Sequence, residues 1–210
     1  MKLIDKSVSE FSKSLASKEP VPGGGAAAAL QGVVGASLIG MVASLTVEQT
    51  KKSEFDTLMK DIIKRADEFK KTMLSIIDRD TDAYKHVYSV FALPKTTEKE
   101  QAVRNDAMQN ALKVCTIIPF EIMQCSYNTL ELAMVMVGKY NKNATSDLGV
   151  AVLSLKTAAE SAWLNVLINL DGIRDEIFSA KYMIAGNELI QRTADLADDI
   201  HEDILNNLMS

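Results

Sequence analysis

Aromatic side chains make up only 6% of the 210 residues, and proline occurs four times. No segment shows period-two alternation of β-branched or aromatic residues, so strands are not expected, and sparse proline leaves room for long helices. Cysteine occurs twice, at Cys115 and Cys125, in an apolar helical pattern. That excludes a disulfide framework and reads as two buried reduced thiols. The two histidines are His86, on a polar helix side, and His201, in an acidic tail. Neither has a second His or Cys at ligand spacing, so no metal site is expected. No Gly-x-Ser-x-Gly elbow or Cys–His pairing stands out. The opening Met-Lys-Leu-Ile-Asp-Lys lacks the apolar stretch of a secretory leader, and the expectation is a cytoplasmic protein. Positive charge is not in excess: 23 Lys and Arg face 28 Asp and Glu, for a net charge of −5 with the signs interspersed. Nucleic acid is therefore not an expected partner, since that binding needs a basic stripe to displace phosphate counterions. A small anionic ligand stays open if donors concentrate locally.

What is present is an ordinary globular balance, 47% apolar and 24% charged, which fits one domain over residues 1–210. Within it, Pro20 to Val47 carries no charge at all. Its alanine-rich part from Ala26 is ~33 Å long as a helix, enough to span a bilayer. Its small and polar content, with Gln31 and no close Lys/Arg anchors on both sides, argues against a membrane. Ala28, Gly32, Ala36, Gly40 and Ser44 recur every fourth residue, placing small side chains on one helix face where another backbone can come close. Leu30, Val33, Val34, Leu38, Met41, Val42 and Leu45 cover the other faces, so the expectation is a helix buried all round at the centre of a bundle.

The rest divides into amphipathic helices, and the fold class is all-α. Leu3–Ser17 places Val8, Phe11 and Leu15 on one side. Ser53 can cap a helix running to about Phe91, before Leu93-Pro94-Lys95 breaks the pattern. Thr97-Glu98-Lys99-Glu100 offers a capping box, and Pro119 either kinks that helix or begins another. Ser146 or Asp147 opens a helix to about Leu170, and Asp175–Met209 supplies one or two more.

Three places depart from plain amphipathic design. Pro20-Val21-Pro22-Gly23-Gly24-Gly25 precedes the uncharged helix, and backbone N–H groups at such an entry suit a carboxylate or phosphate, although ligand-free glycine turns are commoner. It is not a P-loop, because no Gly-Lys-Ser/Thr follows. Asp78-Arg79-Asp80-Thr81-Asp82 lacks the glycine and distal glutamate of a calcium loop. On a helix, Asp78 and Asp82 share a solvated face with Arg79 and Lys85 near it. Asp80 falls within about 60° of Ile77, Tyr84, Val87 and Phe91. A carboxylate on that apolar seam is either a paired structural group or one with a raised pKa. Finally, Asp147, Ser154, Ala158, Ser161 and Asn165 lie within about 40° of one another, with Asn169 just beyond. This stripe is short, uncharged after Asp147 and rich in amides, which fits a lined pocket or a subunit interface as well as a wet face.

With these pieces in order, the chain resembles the cyclodeaminase/cyclohydrolase family of folate one-carbon enzymes. That family includes the C-terminal domain of formiminotransferase-cyclodeaminase and stand-alone bacterial enzymes. The resemblance runs from about Phe11 to Phe178. It rests on Pro22-Gly23-Gly24-Gly25 with the alanine-rich helix, Asp78-x-Asp80 with Ala83-Tyr84, Leu93-Pro94-Lys95 and Pro119. It continues through Asn141 to Ser146-Asp147-x-Gly149-Val150-Ala151 and ends on Asn165-Val166-x-Ile168-Asn169-Leu170. Ala26 stands where the family often has serine, and Tyr140 where a glycine commonly precedes the asparagine.

The resemblance implies an all-helical homodimer whose substrate is a tetrahydrofolate derivative, mono- or polyglutamylated, with no metal or redox cofactor. As a cyclodeaminase, the enzyme closes 5-formiminotetrahydrofolate to 5,10-methenyltetrahydrofolate and releases ammonia. The alternative, methenyltetrahydrofolate cyclohydrolase, adds water to the methenyl carbon and opens the ring to 10-formyltetrahydrofolate. Both need a proton shuttle, and Asp80 is the candidate, with Asp147 balancing the cationic centre. Asn143, Asn165 and Asn169 are expected to read the pterin edge or hold water. Lys95 and the N–H groups of Gly23, Gly24 and Gly25 are expected to take the glutamate carboxylates. The resemblance leans to the cyclodeaminase, as the activity of the best-known relatives. A competing expectation of another class is a non-catalytic helical module that binds folate or a partner helix through the Asn-lined groove.

Overall fold

The computed structural model describes residues 2–50 and 55–209. Among these there are six α-helices and no strand: α1 (Val8–Leu15), α2 (Gly24–Thr50), α3 (Asp56–Phe91), α4 (Glu98–Met136), α5 (Thr145–Leu170) and α6 (Glu176–Met209). Short 3₁₀ turns, Leu3–Asp5 and Lys142–Ala144, precede α1 and α5. Capping chemistry sets two of the starts. Thr97 accepts the Glu100 N–H at 3.2 Å while the Glu100 carboxylate takes the Thr97 N–H at 2.9 Å. Ser7 and Glu10 make the same box at the head of α1. The α4 end is marked by Gly138, one residue beyond the helix cap at φ +73°, a left-handed conformation that favours glycine.

The first segment differs from its expectation. The Ser7 box starts the helix only at Val8, which is 87% exposed, and of the expected apolar side only Phe11 is buried. The Ser53 cap lies outside the described residues. Pro119 neither ends nor restarts a helix, since α4 runs through it, and Asp175–Met209 holds one helix.

Glycines explain why α2 is central. A Cβ at Gly25 or Gly32 would collide with Asp80 or Met73 of α3, and Gly40 faces the Ala66 Cβ from 3.8 Å. The numbers run in opposite directions, so α2 and α3 are antiparallel, joined along the small-residue stripe. On the next face, a Cβ at Gly35 would come within 2.5 Å of Leu155 and 3.0 Å of the Ala151 carbonyl on α5. Farther along, Thr46 receives the Asn141 N–H at 2.9 Å and pins the turn before α5. α5 is thus also antiparallel to α2. α4 closes the bundle behind them, and α6 packs on α4 and α5, with Trp163 filling the space left by Gly186.

The core forms two main clusters. One gathers Ile39, Met59, Leu130, Leu148 and Ile200; the other gathers Ala26, Ile76, Ile122, Ala162 and Val166 beside the α2 N-terminus. α2 is not enclosed on every side. Val34 remains 44% exposed, and Met41 and Leu45 are exposed with it. The stretch Gly24–Gln49 has the length and hydropathy of a membrane span, but half of its most apolar window is buried among the other helices. α3, α5 and α4 pack against α2 and leave its outward side open.

Candidate active site

Where α2 begins, the bundle holds a cavity of about 270 Å³ bounded by Gly23–Gly25, Asp80, Tyr84, Cys115, Asn165 and Asn169. Three helices supply its functional groups because their antiparallel pairing brings the last third of α3, the first half of α4 and the end of α5 to one level. Gly25 makes the closest approach possible: with no Cβ, it lets the Asp80 carboxyl lie directly against the first turn of α2. There the carboxyl accepts the Ala26 N–H.

Two influences on Asp80 oppose one another. Burial disfavours the charged carboxylate, while the Ala26 N–H stabilises it; burial is larger and pushes the pKa from 3.8 up to about 6. The expectation of a raised pKa on an apolar seam therefore agrees with the structure. The same geometry changes the reading of the glycine turn, whose α2 helix entrance is served from inside the protein by Asp80. The Cys115 thiol lines the same cavity and is pushed up to about 11, mainly by burial and further by the Asp80 charge, so it is an inert thiol at neutral pH.

The asparagines are held by backbone. Asn165 donates its amide N–H to the Ser161 carbonyl at 2.8 Å, and Asn169 donates to the Asn165 carbonyl at 2.6 Å. Asn169 also reaches the Cys115 carbonyl of α4 at 2.9 Å. That bond has a cause four residues along α4: Pro119 has no N–H, so the Cys115 carbonyl has no partner within its own helix. The α5 amide replaces it. Asn169 commits both amide protons to backbone and has its oxygen left as an acceptor, whereas Asn165 commits one and keeps a second proton as well as its oxygen.

Asp80, Gly23, Gly24, Gly25, Asn165 and Asn169 are thus brought together. The other sequence-derived candidates are not. Asp147 is in the first turn of α5, ~27 Å along the helix from Asn165. A shared stripe places residues on one side of a helix but says nothing about their distance along it. Asn143 is exposed in the 3₁₀ turn, where its N–H bonds to the Asn141 side chain at 2.9 Å. Lys95 is exposed in the α3–α4 connection and does not line the cavity. Asp78 is not simply solvated, since it accepts the Leu3 N–H at 2.8 Å. Tyr84, Cys115 and Ile168 were not singled out as site residues. Tyr84 had a signal, one helical turn after Asp80; Cys115 had only its place four residues before a mid-helix proline. Among the described residues no three His, Cys, Asp or Glu side chains gather as a metal-ligand set.

Residues 7–185 match the formiminotransferase-cyclodeaminase family. The chain belongs to that family. It is 34% identical to the methenyltetrahydrofolate cyclohydrolase of Methylorubrum extorquens, over 95% of this chain and 96% of that protein. It is 28% identical to the rat (Rattus norvegicus) formimidoyltransferase-cyclodeaminase over 90% of its own length, and spans about a third of that longer relative, 35%. The crystal structure of formiminotetrahydrofolate cyclodeaminase from Thermotoga maritima superposes with a TM-score of 0.82 at 24% identity, covering 99% of this chain and 98% of the other. That likeness establishes a shared fold over the whole chain.

Proposed function

We propose that this family member is a folate one-carbon enzyme acting on the carbon that joins N5 and N10 of tetrahydrofolate, with Asp80 as its proton shuttle. The observation that carries the reading is the desolvated Asp80 carboxyl in a cavity lined by Asn165 and Asn169, with its pKa at about 6. A group near neutrality can both take and return a proton within one turnover.

Two directions use the same tetrahedral centre. In cyclodeamination, N10 attacks the N5-formimino carbon and loses its proton, and the amino group leaves as ammonia once protonated, giving the 5,10-methenyl cation. In hydrolysis, water adds to the methenyl carbon, Asp80 takes the water proton, and the C–N5 bond breaks to give 10-formyltetrahydrofolate, with one proton released overall. The hydrolytic direction has specific support. The Methylorubrum relative matched from end to end is a cyclohydrolase, and a carboxyl with a pKa of about 6 is mostly ionised at pH 7, the form that accepts a proton from water. Neutral amides such as Asn165 and Asn169 give the cationic ring polar neighbours without adding a second full charge. Supplying 5-formiminotetrahydrofolate should generate methenyl absorbance and ammonia if the chain is a cyclodeaminase. Supplying methenyltetrahydrofolate should accelerate loss of that absorbance if it is a cyclohydrolase. Neither change, with folate still bound, would leave a non-catalytic binding module.

The partner expected is a second copy of the chain. Val34, Met41 and Leu45 of α2 and Val150, Leu153, Leu164 and Ile168 of α5 are exposed on the outward side of adjacent helices. An apolar surface shared by two helices is a feature of association sites. Ile168, 72% exposed, also lines the cavity, so a subunit docked there would border the substrate.

A further inference from the structure

Two asparagines one turn apart on α5 line the Asp80 cavity, yet they are left with different chemistry. Asn165 has a single tie, the 2.8 Å bond to the Ser161 carbonyl, and keeps one amide proton as well as its oxygen. Asn169 makes the corresponding bond to the Asn165 carbonyl at 2.6 Å and a second to the Cys115 carbonyl at 2.9 Å. Both of its protons are spent, so Asn169 can only accept. The two side chains share a helix and a bond to the carbonyl four residues back. What separates them is the Cys115 carbonyl, and Pro119 is the reason that carbonyl is available.

Pro119 is buried in the bundle and does not itself line the cavity. An ordinary residue at this position would donate its N–H back to Cys115 and draw that carbonyl along the α4 axis. A proline has no N–H, and its ring crowds the carbonyl four residues back. The Asn169 bond is not needed to hold α4 beside the end of α5. Gln109 donates to the Gly172 carbonyl at 2.9 Å and accepts the Arg174 N–H at 2.7 Å, and Lys113 pairs with Asp175 at 2.6 Å. Those ties already fix the level of α4 against the turn after α5. What the Asn169 bond adds is the orientation of one amide in the cavity wall. Inverting that amide would set its oxygen against the carbonyl oxygens of Cys115 and Asn165, and would leave the Cys115 carbonyl with no donor.

We propose that Pro119 is a positioning residue for the reaction: by withholding an N–H from Cys115 it makes Asn169 an obligate acceptor, which selects proton-donating groups of the ligand and turns away acceptors. The choice of ligand rests on the folate reading of the Asp80 cavity; the state of the Asn169 amide does not. Both reactions at the carbon between N5 and N10 bring such a donor, water in hydrolysis and the formimino N–H in cyclodeamination.

The test is a double-mutant cycle on the full chain with Pro119→Ala, Asn169→Ala and both. It is read as kcat and KM for methenyltetrahydrofolate and for 5-formiminotetrahydrofolate, together with NMR hydrogen exchange of the side-chain amides. In the parent, the Asn169 amide should exchange about tenfold more slowly than that of Asn165, and in Pro119→Ala the two should become alike. Pro119→Ala should lower kcat/KM about tenfold in the parent and less than about twofold in Asn169→Ala, because the proline acts through that amide. The midpoint of its pH profile should stay near 6, since Asp80 keeps its burial and the Ala26 N–H. Equal losses in the two backgrounds would overturn the proposal, as would a midpoint that moves with the loss, because either marks a general disturbance of the cavity. In the parent alone, an Asn169 amide that exchanges as fast as that of Asn165 would also overturn it. Pro119-dependent exchange at Asn169 without turnover of either folate would support the amide arrangement and overturn the folate reading of the Asp80 cavity.

Discussion

At the scale of the residue, Asp80 shows stability and chemistry pulling apart. A folded-state pKa of about 6 against an ordinary 3.8 means that the folded protein holds its carboxyl proton more tightly than the unfolded chain. The stabilisation this gives is complete below pH ~4, and it is lost as pH rises through about 6. Above that, ionised Asp80 leaves the fold about 3 kcal/mol less stable than at low pH. Asp80→Asn keeps an oxygen for the Ala26 N–H and removes the charge. It should therefore melt higher than the parent at pH 7.5 while kcat falls by about 10²–10⁴-fold. A variant that folds and retains full activity would end the shuttle assignment. In the parent, hydrolytic kcat/KM should rise with pH to a plateau with a midpoint near 6. The neighbouring glycines are not equivalent. Gly25→Ala drives a methyl into the Asp80 carboxyl, whereas Gly24→Ala meets Asn165 at an ordinary 3.5 Å. Turnover should collapse in the first and fall far less in the second, with circular dichroism reporting intact helix in both.

Helices were legible wherever local chemistry marks them. The Thr97–Glu100 box starts α4 where its sequence pattern predicts, and the every-fourth-residue stripe from Ala28 to Gly40 packs against α3 as its small side chains require. Asp80 could be singled out because a carboxylate among apolar neighbours violates the pattern of its own helix. Register along helices was not legible: Asp147 and Asn165 share a stripe yet sit at opposite ends of α5. Nor could the role of Cys115 be read, since it depends on which helix faces Pro119. The helix seams yield a contrast. Gly35→Ala should destabilise by about 1–3 kcal/mol, because its methyl meets Leu155 and the Ala151 carbonyl at 2.5 and 3.0 Å and cannot be relieved by one side chain. Gly40→Ala, with Ala66 at 3.8 Å, should instead gain up to about 1 kcal/mol from helix propensity. Urea unfolding of the two variants separates these signs.

The whole molecule leaves the outward sides of α2 and α5 apolar and exposed, and that is where assembly is expected. Leu164, 67% exposed and away from the Asp80 cavity, is a fitting probe. Leu164→Asp should shift the protein from dimer to monomer in light scattering while leaving its helix content unchanged; a monomeric parent would refute the assignment of this face. Another whole-molecule link runs through the interior, from Pro119 to Asn169. Asn169→Leu should cost about 1–2 kcal/mol in the parent and much less in Pro119→Ala, where an alanine N–H can again serve the Cys115 carbonyl. In evolutionary terms the proline imposes a debt on a helix it does not belong to. A lineage that loses Pro119 is freed from keeping Asn169 for this bond, and only its place in the Asp80 cavity then holds that asparagine.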